Sequence, residues 1–288
     1  MAKEPVNNLW HKMNNTVVRT LSGLVFLLIM VGSLLIGPIA YAAVMLFIIA
    51  VVMHEYLEIS LGRKYRIPRL LAILTGLSLF LILFFILEYN IEVKMLLIAL
   101  VPLVATYISL IWEKDAESYR KNQYLGGSVL YTALPFALTT LIVYKENGEF
   151  DGTTLLFFFI ILWVSDIGAY VFGMLFGQKN GHKLFPSISP KKSWEGFYGG
   201  LGSALVFAVI IYYSGLSDFN LMHTLIVALI INIASVLGDL AESQFKRNFG
   251  VKDSGSLMPG HGGLLDRFDG ALTSFPLAIA YIKLLSLF

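Results

Sequence analysis

Long apolar runs are the feature of this 288-residue chain that most restricts its fold. Each run is long enough to cross a hydrocarbon core of about 30 Å as a helix, whereas barrel strands would show short alternating segments. Hydrophobic residues make up 57% of the chain and charged residues only 14%, against about 25% charged in soluble domains. The sequence therefore predicts an all-α, polytopic integral membrane protein.

Nine spans are predicted from these runs. They cover residues 20 to 36, 39 to 59, 69 to 87, 95 to 112, 126 to 144, 153 to 176, 197 to 214, 221 to 240 and 271 to 287. Gly37 and Pro38 leave almost no loop between the first two spans, so we expect a tight turn there; a single bent span is the alternative.

The basic residues predict the orientation of the spans. If the amino end and every second connection lie on one side, that side holds all of the 21 Lys and Arg residues except Lys94, Lys145 and Lys283. Positive residues concentrate on the cytoplasmic side of membrane proteins. We therefore expect the amino terminus to be cytoplasmic, the carboxyl terminus outside, and loops 177–196 and 241–270 cytoplasmic.

The two halves of the chain differ in their polar content. Residues 1–145 read as scaffold helices and 146–288 as the catalytic part of one continuous membrane domain. His54 and Glu55 are the exception in the first half: we interpret them as interfacial, and membership of a site is the alternative. The polar amino end is too long for the first region of a signal peptide, so we expect the first span to be retained. We expect the protein to lie in a cell inner membrane. The absence of cysteine excludes disulfides and thiolate chemistry.

Asp166 lies in the middle of the sixth run, where a charge is costly and usually faces a partner or a wet cavity. Tyr170 follows at i+4 and shares its helix face. A simple hydrogen bond to a neighbouring helix is the alternative to a role in a site.

The next loop carries the run Ser189 to Glu195, which includes Lys191, Lys192 and Ser193. Lysines and hydroxyls ahead of a helix amino terminus favour anion binding. Ordinary positive-inside lysines would give the same charge and are the alternative. The hydroxyls and the acidic Glu195 in the first helical turn are what favour a substrate-binding site here.

The eighth span ends in a charged helix face. If the helix continues, Asp239, Ser243, Lys246 and Arg247 lie on one side of it. A carboxylate and hydroxyl followed by two cations suit a metal ligand and a phosphate clamp.

A glycine-rich loop follows and leads into the last span. It carries Lys252, Asp253 and His261; a lone His without a second His or Cys argues against zinc and favours a phosphate or hydrogen-bonding role. Asp266 and Asp269 then share a face at i, i+3. With Asp239 they could hold Mg²⁺ through oxygen atoms. A solvated surface loop is the alternative for the whole stretch.

These residues carry a family resemblance. The patterns are D-x-G-A-Y from Asp166, S-P-K-K-S-W-E-G from Ser189, S-x-F-K-R from Ser243, and P-G-H-G-G-L-x-D-R-F-D from Pro259 to Asp269. Together they resemble the phosphatidate cytidylyltransferases, or CDP-diacylglycerol synthases. Met258 and Ser193 are small departures from that pattern, and the first half of the chain matches only as generic spans.

The resemblance implies transfer of the cytidylyl group of CTP to phosphatidic acid, giving CDP-diacylglycerol and pyrophosphate. It implies Mg²⁺, with two cation positions of which one could accept K⁺. The partners expected are CTP, phosphatidic acid and the bilayer, with no nucleic acid, and a homodimer stays open. The expected metal ligands are Asp239, Asp266, Asp269 and Asp166; the expected catalytic residues are Lys246, Arg247, Lys252, Asp253, His261 and Arg267; and the expected substrate-binding residues are Ser189, Lys191, Lys192, Ser193 and Ser243.

Other functions remain open from the sequence alone. A CTP-dependent polyprenol or phytol kinase would release CDP instead of pyrophosphate, and an ether-lipid cytidylyltransferase would use a different lipid. A secondary transporter would use Asp166 as an ion or substrate ligand, although such sites lie near the midplane rather than at one membrane face.

Overall fold

A computed structural model describes residues 15–112, 116–178 and 181–287 of the protein. The helices are α1 (Asn15–Ile36), α2 (Pro38–Leu61), α3 (Arg66–Tyr89), α4 (Leu100–Ser109), α5 (Ala116–Ser128), α6 (Leu134–Thr139), α7 (Thr153–Phe176), α8 (Trp194–Tyr213), α9 (Leu221–Asn248) and α10 (Leu265–Leu284). Helical turns at Val93–Ala99 and Leu110–Trp112 extend α4 at both ends, and a turn at Thr140–Ile142 follows α6. The expected helical architecture is confirmed.

Eight of the described segments are long and apolar enough to cross a membrane. They are Val17–Ile36, Pro38–Leu61, Arg66–Tyr89, Val93–Trp112, Asn122–Ile142, Thr153–Phe176, Trp194–Tyr213 and Leu221–Asn248. The expected ninth span falls in α10, which forms but is not among them, because Asp266, Arg267 and Asp269 crowd its first turns. Lys3, Lys12, Lys114 and Lys179, which support the orientation, lie outside the described residues.

Gly37 forms the predicted tight turn between α1 and α2. Its φ of 140° lies where only glycine is comfortable, and Pro38 then begins α2 with its ring preset for a helix. The two helices are therefore separate spans.

The fifth span is not a regular helix. A π-turn at Val129–Ala133 joins α5 to α6, and Pro135 follows it. Proline cannot donate to the preceding turn and its ring pushes that turn open, which accounts for the widened backbone. The π-turn changes the direction of the side chains that precede Pro135.

Loop 177–196 contains a short antiparallel ribbon that the sequence analysis did not predict. Its strands are β1 (Lys183–Phe185) and β2 (Ser189–Ser193), with Lys183 opposite Ser193. Ser193 then caps α8 by accepting a hydrogen bond from the Gly196 backbone N–H. The ribbon thus leads the loop directly into the helix.

Helices α7 to α10 form the tightest part of the bundle. The pairs α7 with α8 and α9 with α10 pack most extensively, and glycines allow it: a Cβ on Gly168 would collide with Ser203 of α8. The Phe268 ring, near the start of α10, lies in edge contact with Phe26, Phe136 and Phe159 of α1, α6 and α7. The charged start of α10 is therefore held by helices from both halves of the chain.

Candidate functional site

Three carboxylates, Asp166, Asp239 and Asp269, converge from α7, α9 and α10; we call them the carboxylate cluster. The Asp269 charge is close enough to interact with Asp239 and Asp166, and Asp166 in turn interacts with Asp239. A Cβ on Gly238 would lie only 2.7 Å from the backbone oxygen of Asp269, so α9 and α10 approach closely beside this cluster. Like charges this near one another repel unless a cation compensates them.

Ser243 lies one turn beyond Asp239 and donates a hydrogen bond of 3.2 Å to its carboxylate. The pair confirms that α9 continues as a helix through the charged face, which ends at Asn248. Lys246 and Arg247 follow on the same helix, but the side chain of each contacts other residues.

The β-ribbon delivers a cation to the carboxylate cluster. Lys192 of β2 forms a 2.5 Å ion pair with Asp239 and is largely covered. Its neighbour Lys191 is exposed, Ser189 is partly covered, and Ser193 is buried as the cap of α8. Lys192 is therefore the member of this run that reaches the converging acids.

Asp266 is placed apart from the carboxylate cluster. It binds Lys246 Nζ at 2.6 Å and accepts backbone N–H groups of Ser254 and Gly263, each at 2.9 Å. Lys246 also pairs with the fully buried Glu242 at 2.6 Å. Lys246 and Asp266 thus neutralise each other and close the loop between α9 and α10.

Glu55 of α2 completes this loop from the first half of the chain. Its carboxylate accepts the Ser254 hydroxyl at 3.0 Å and the backbone N–H groups of Leu264 and Leu265 at 3.0 and 2.8 Å. It caps the start of α10, where helix N–H groups lack partners. We call Glu55, Glu242, Lys246, Ser254 and Asp266 the anchor cluster.

The interpretation of Glu55 as interfacial is therefore wrong. Its side chain is buried in the protein and holds a loop about 200 positions away. Gly263 permits this contact, because a Cβ there would collide with both Ser254 and Glu55. The only signal in the sequence was a carboxylate near the end of an apolar run.

The remaining predicted residues of this loop lie on its outer side. Lys252 and Asp253 are exposed, and Arg247 is exposed and donates to the Val251 carbonyl oxygen at 3.0 Å. Arg267 is also exposed and lies within electrostatic range of Asp166. Of these cations, Arg267 is the one whose charge acts on the carboxylate cluster.

His261 contacts α1. Its Nδ1 shares a 2.9 Å hydrogen bond with the Ser22 hydroxyl. Burial lowers the pKa of the His261 imidazole, and the nearby charges of Arg267 and Arg19 lower it further. The ring is therefore neutral near pH 7 and can both donate and accept a hydrogen bond.

Tyr131 was not predicted as a site residue. It lies on the π-turn, and its hydroxyl is buried without a hydrogen-bond partner in the described structure. Its neighbours are charged: Glu242, Asp269 and Asp239 are all within electrostatic range. π-turns of this kind are common at functional sites, but only the fold brings Tyr131 to these acids.

The donor set suits a hard divalent cation. In the parts of the chain described, no three His, Asp or Glu residues are arranged as a ready-made cage. Mg²⁺ does not require one, because it is usually held by one or two carboxylates together with substrate phosphates and water. The carboxylates of Asp239 and Asp269, whose like charges interact, fit that requirement.

Comparison with known proteins identifies the family. Residues 17–285 match the cytidylyltransferase family. A phosphatidate cytidylyltransferase of Staphylococcus haemolyticus is 35% identical over 268 residues, which cover 90% of this chain and 96% of the relative. Proteins of the same name from Staphylococcus epidermidis and Staphylococcus aureus are 35% and 34% identical over 266 residues, with the same coverage. The expected resemblance is confirmed, and the chain belongs to the cytidylyltransferase family.

Proposed function

We propose that this protein transfers the cytidylyl group of CTP to phosphatidic acid, producing CDP-diacylglycerol and pyrophosphate for phospholipid synthesis. Family membership and the names of its relatives support this reaction. The observation that carries it is the convergence of Asp166, Asp239 and Asp269 beside Lys192 and Arg267, since two anionic substrates must meet here.

The protein would be a multi-pass protein of the cell inner membrane with its amino terminus and its site facing the cytoplasm. The distribution of Lys and Arg supports this orientation. CTP would then reach the site from the cytoplasm, and the lipid would arrive sideways from the same leaflet.

Mg²⁺ would be held by Asp239 and Asp269, with Asp166 as the further ligand or the ligand of a second position that could accept K⁺. Bound there, the ion would supply positive charge to the triphosphate. Asp266, also expected as a ligand, has its oxygens engaged by Lys246 and two N–H groups, so its contribution would be to hold the loop.

In the reaction, an oxygen of the lipid phosphate attacks the α-phosphorus of CTP. A new P–O bond forms while the bond from that phosphorus to the β-bridging oxygen breaks, and pyrophosphate leaves with the electron pair. The lipid phosphate has a second pKa of about 6 and is mostly dianionic at neutral pH, so no strong general base is needed. The main task of the protein is to neutralise charge and to align the two phosphates.

The side chains would divide this task by position. Lys192 and Arg267 border the carboxylate cluster and would neutralise phosphate oxygens, with Lys191, Arg247 and Lys252 adding positive charge at the rim. Ser243 would orient Asp239, and Lys246 would hold Asp266. We propose Ser189, Ser193, Asp253 and His261 as further contributors to the site. If the protein forms a homodimer, each subunit would contain its own complete site.

One assay tests the function. Purified protein in mixed micelles receives CTP labelled in the α-phosphate, phosphatidic acid and varied Mg²⁺, and the products are separated. Lipid-linked CMP and an equal amount of pyrophosphate are expected. Release of CDP with a phosphorylated polyprenol or phytol would identify a kinase instead, and selective use of an ether lipid would change the lipid substrate.

A further inference from the structure

One face of α1 packs against the loop that precedes α10. Arg19, Ser22, Gly23 and Phe26 are spaced at i, i+3, i+4 and i+7 and therefore share a face. Ser22 hydrogen-bonds the Pro259 carbonyl oxygen and the His261 ring, a Cβ on Gly23 would meet that ring at 3.7 Å, and Phe26 contacts Phe268. α1 is thus a wall of the candidate site.

Arg19 lies at the end of this face, and the described part of the chain gives it no acidic partner. Its stem packs on Gly260, where an added Cβ would lie 2.6 Å from Arg19 Cγ. The charges of Arg19 and Arg267 both act on His261. Within the described ranges, neither arginine forms an ion pair, and both are exposed. Two exposed guanidinium groups whose charges both act on one imidazole favour an anion beside it.

We propose that Arg19, together with Arg267 and His261, forms a binding site for the phosphomonoester of the lipid substrate. The proposal rests on the proposed function for the identity of the lipid. Arginine can donate two parallel hydrogen bonds to one phosphate group, and a neutral imidazole can add a third. Arg19 is a new site residue from the half of the chain read as scaffold.

The position of α1 favours the lipid phosphate over the nucleotide. The side of α1 away from the loop exposes Leu24, Val25 and Leu28 by 52%, 54% and 60%, as expected for a helix that faces acyl chains. A phosphate that enters laterally from the bilayer would therefore pass Arg19 first. Lys192, by contrast, approaches the carboxylate cluster on the β-ribbon and suits the triphosphate.

The test measures lipid binding and kinetics for Arg19→Ala and Arg19→Lys. Arg66→Ala is the matched control. Arg66 is an exposed arginine at the start of α3, so its substitution removes the same charge at a place away from the loop. Binding of phosphatidic acid and of phosphatidylcholine to the purified protein is measured by native mass spectrometry without CTP. KM is then measured separately for phosphatidic acid, as surface fraction in mixed micelles, and for CTP.

Loss of a charge-assisted contact predicts a KM for phosphatidic acid that rises about tenfold or more in Arg19→Ala, with the KM for CTP unchanged. Selective binding of phosphatidic acid should weaken in parallel, Arg19→Lys should be intermediate, and Arg66→Ala should match the wild type. Unfolding temperatures and size-exclusion profiles identify any variant that fails to fold, in which case Arg19→Lys and Arg19→Gln decide.

Three results would overturn the proposal. A rise in the KM for CTP alone would assign Arg19 to the nucleotide, equal effects of Arg19→Ala and Arg66→Ala would reduce Arg19 to general surface charge, and unchanged lipid binding would remove it from the site. The proposed function is judged separately by the wild type: an inactive wild type whose phosphatidic acid binding still depends on Arg19 would leave this site standing.

Discussion

The carboxylate cluster and the anchor cluster both draw residues from α9 and α10 but differ in the groups that contact their carboxylates. In the anchor cluster, the carboxylates of Glu55 and Asp266 each accept hydrogen bonds from three donors, two of which are backbone N–H groups in each case. In the carboxylate cluster, Asp166, Asp239 and Asp269 lie within electrostatic range of one another, and Lys192 pairs with Asp239. Carboxylates that accept backbone N–H groups fix the loop in place, whereas carboxylates held near like charges are better placed to take a cation.

The comparison is sharpest at Asp266 and Asp269. They are three positions apart on α10, yet Asp266 turns back to the loop and Asp269 faces α9 and α7. Substitutions in the two clusters should therefore separate activity from stability.

Asp269→Asn should have the largest effect on activity. Removing this charge takes away a proposed ion ligand, and we expect the rate of CDP-diacylglycerol formation to fall by about 10²-fold or more. The unfolding temperature in detergent should stay the same or rise, because like charges no longer repel. Asp218→Asn, at an exposed acid outside both clusters, is the control. Activity within tenfold of the wild type would remove Asp269 from the ion site.

Glu55→Gln should lower stability and activity together. The substitution removes the charge that three donors share, and we expect a loss of about 2 to 3 kcal/mol in unfolding free energy with a tenfold or smaller loss of activity. Limited proteolysis should cut more rapidly within 249–264. Glu92→Gln, at an exposed ion pair with Lys94, provides the comparison and should behave as wild type. Full stability in Glu55→Gln would contradict the anchoring role.

Lys192→Ala should reduce activity more than Lys191→Ala. Lys192 contacts Asp239, whereas Lys191 is exposed, so we expect about a tenfold loss of kcat/KM for the first and less than threefold for the second. Steady-state kinetics with varied CTP compares the two directly. Equal losses would mean that the run acts through its overall charge.

Ser193→Ala should have the smallest effect. The hydroxyl caps α8, and its loss should lower the unfolding free energy by about 1 kcal/mol. We expect activity within threefold of the wild type, and Ser189→Ala should leave stability unchanged. A tenfold higher KM for CTP at unchanged stability would instead make Ser193 a nucleotide contact.

Much of the helical fold could be read from the sequence because apolar length is a local property. The sixth run, predicted at 153 to 176, coincides with α7, and the predicted continuation of the eighth helix through Ser243 is confirmed. The π-turn before Pro135 and the β-ribbon were missed. Both depend on backbone geometry that hydrophobic periodicity does not report.

The candidate site was only partly readable. Asp166, Asp239, Asp269 and Lys192 were named from charge and motif, and the structure brings them together. Lys246 was placed in a phosphate clamp because it shares a helix face with Asp239, but its ammonium group is engaged by Glu242 and Asp266. Helical phasing shows which residues share a face; it does not show what packs against that face.

The sequence by itself determined the membrane-spanning helices, the family and the set of charged residues from which a site could be built. Length and hydropathy act within each segment, so no distant contact is needed to read them. Only the tertiary structure decided which carboxylates are saturated and which converge. Glu55 reaches Leu264, Ser22 reaches His261, and Tyr131 lies near Asp269, through pairings between distant segments that packing alone selects.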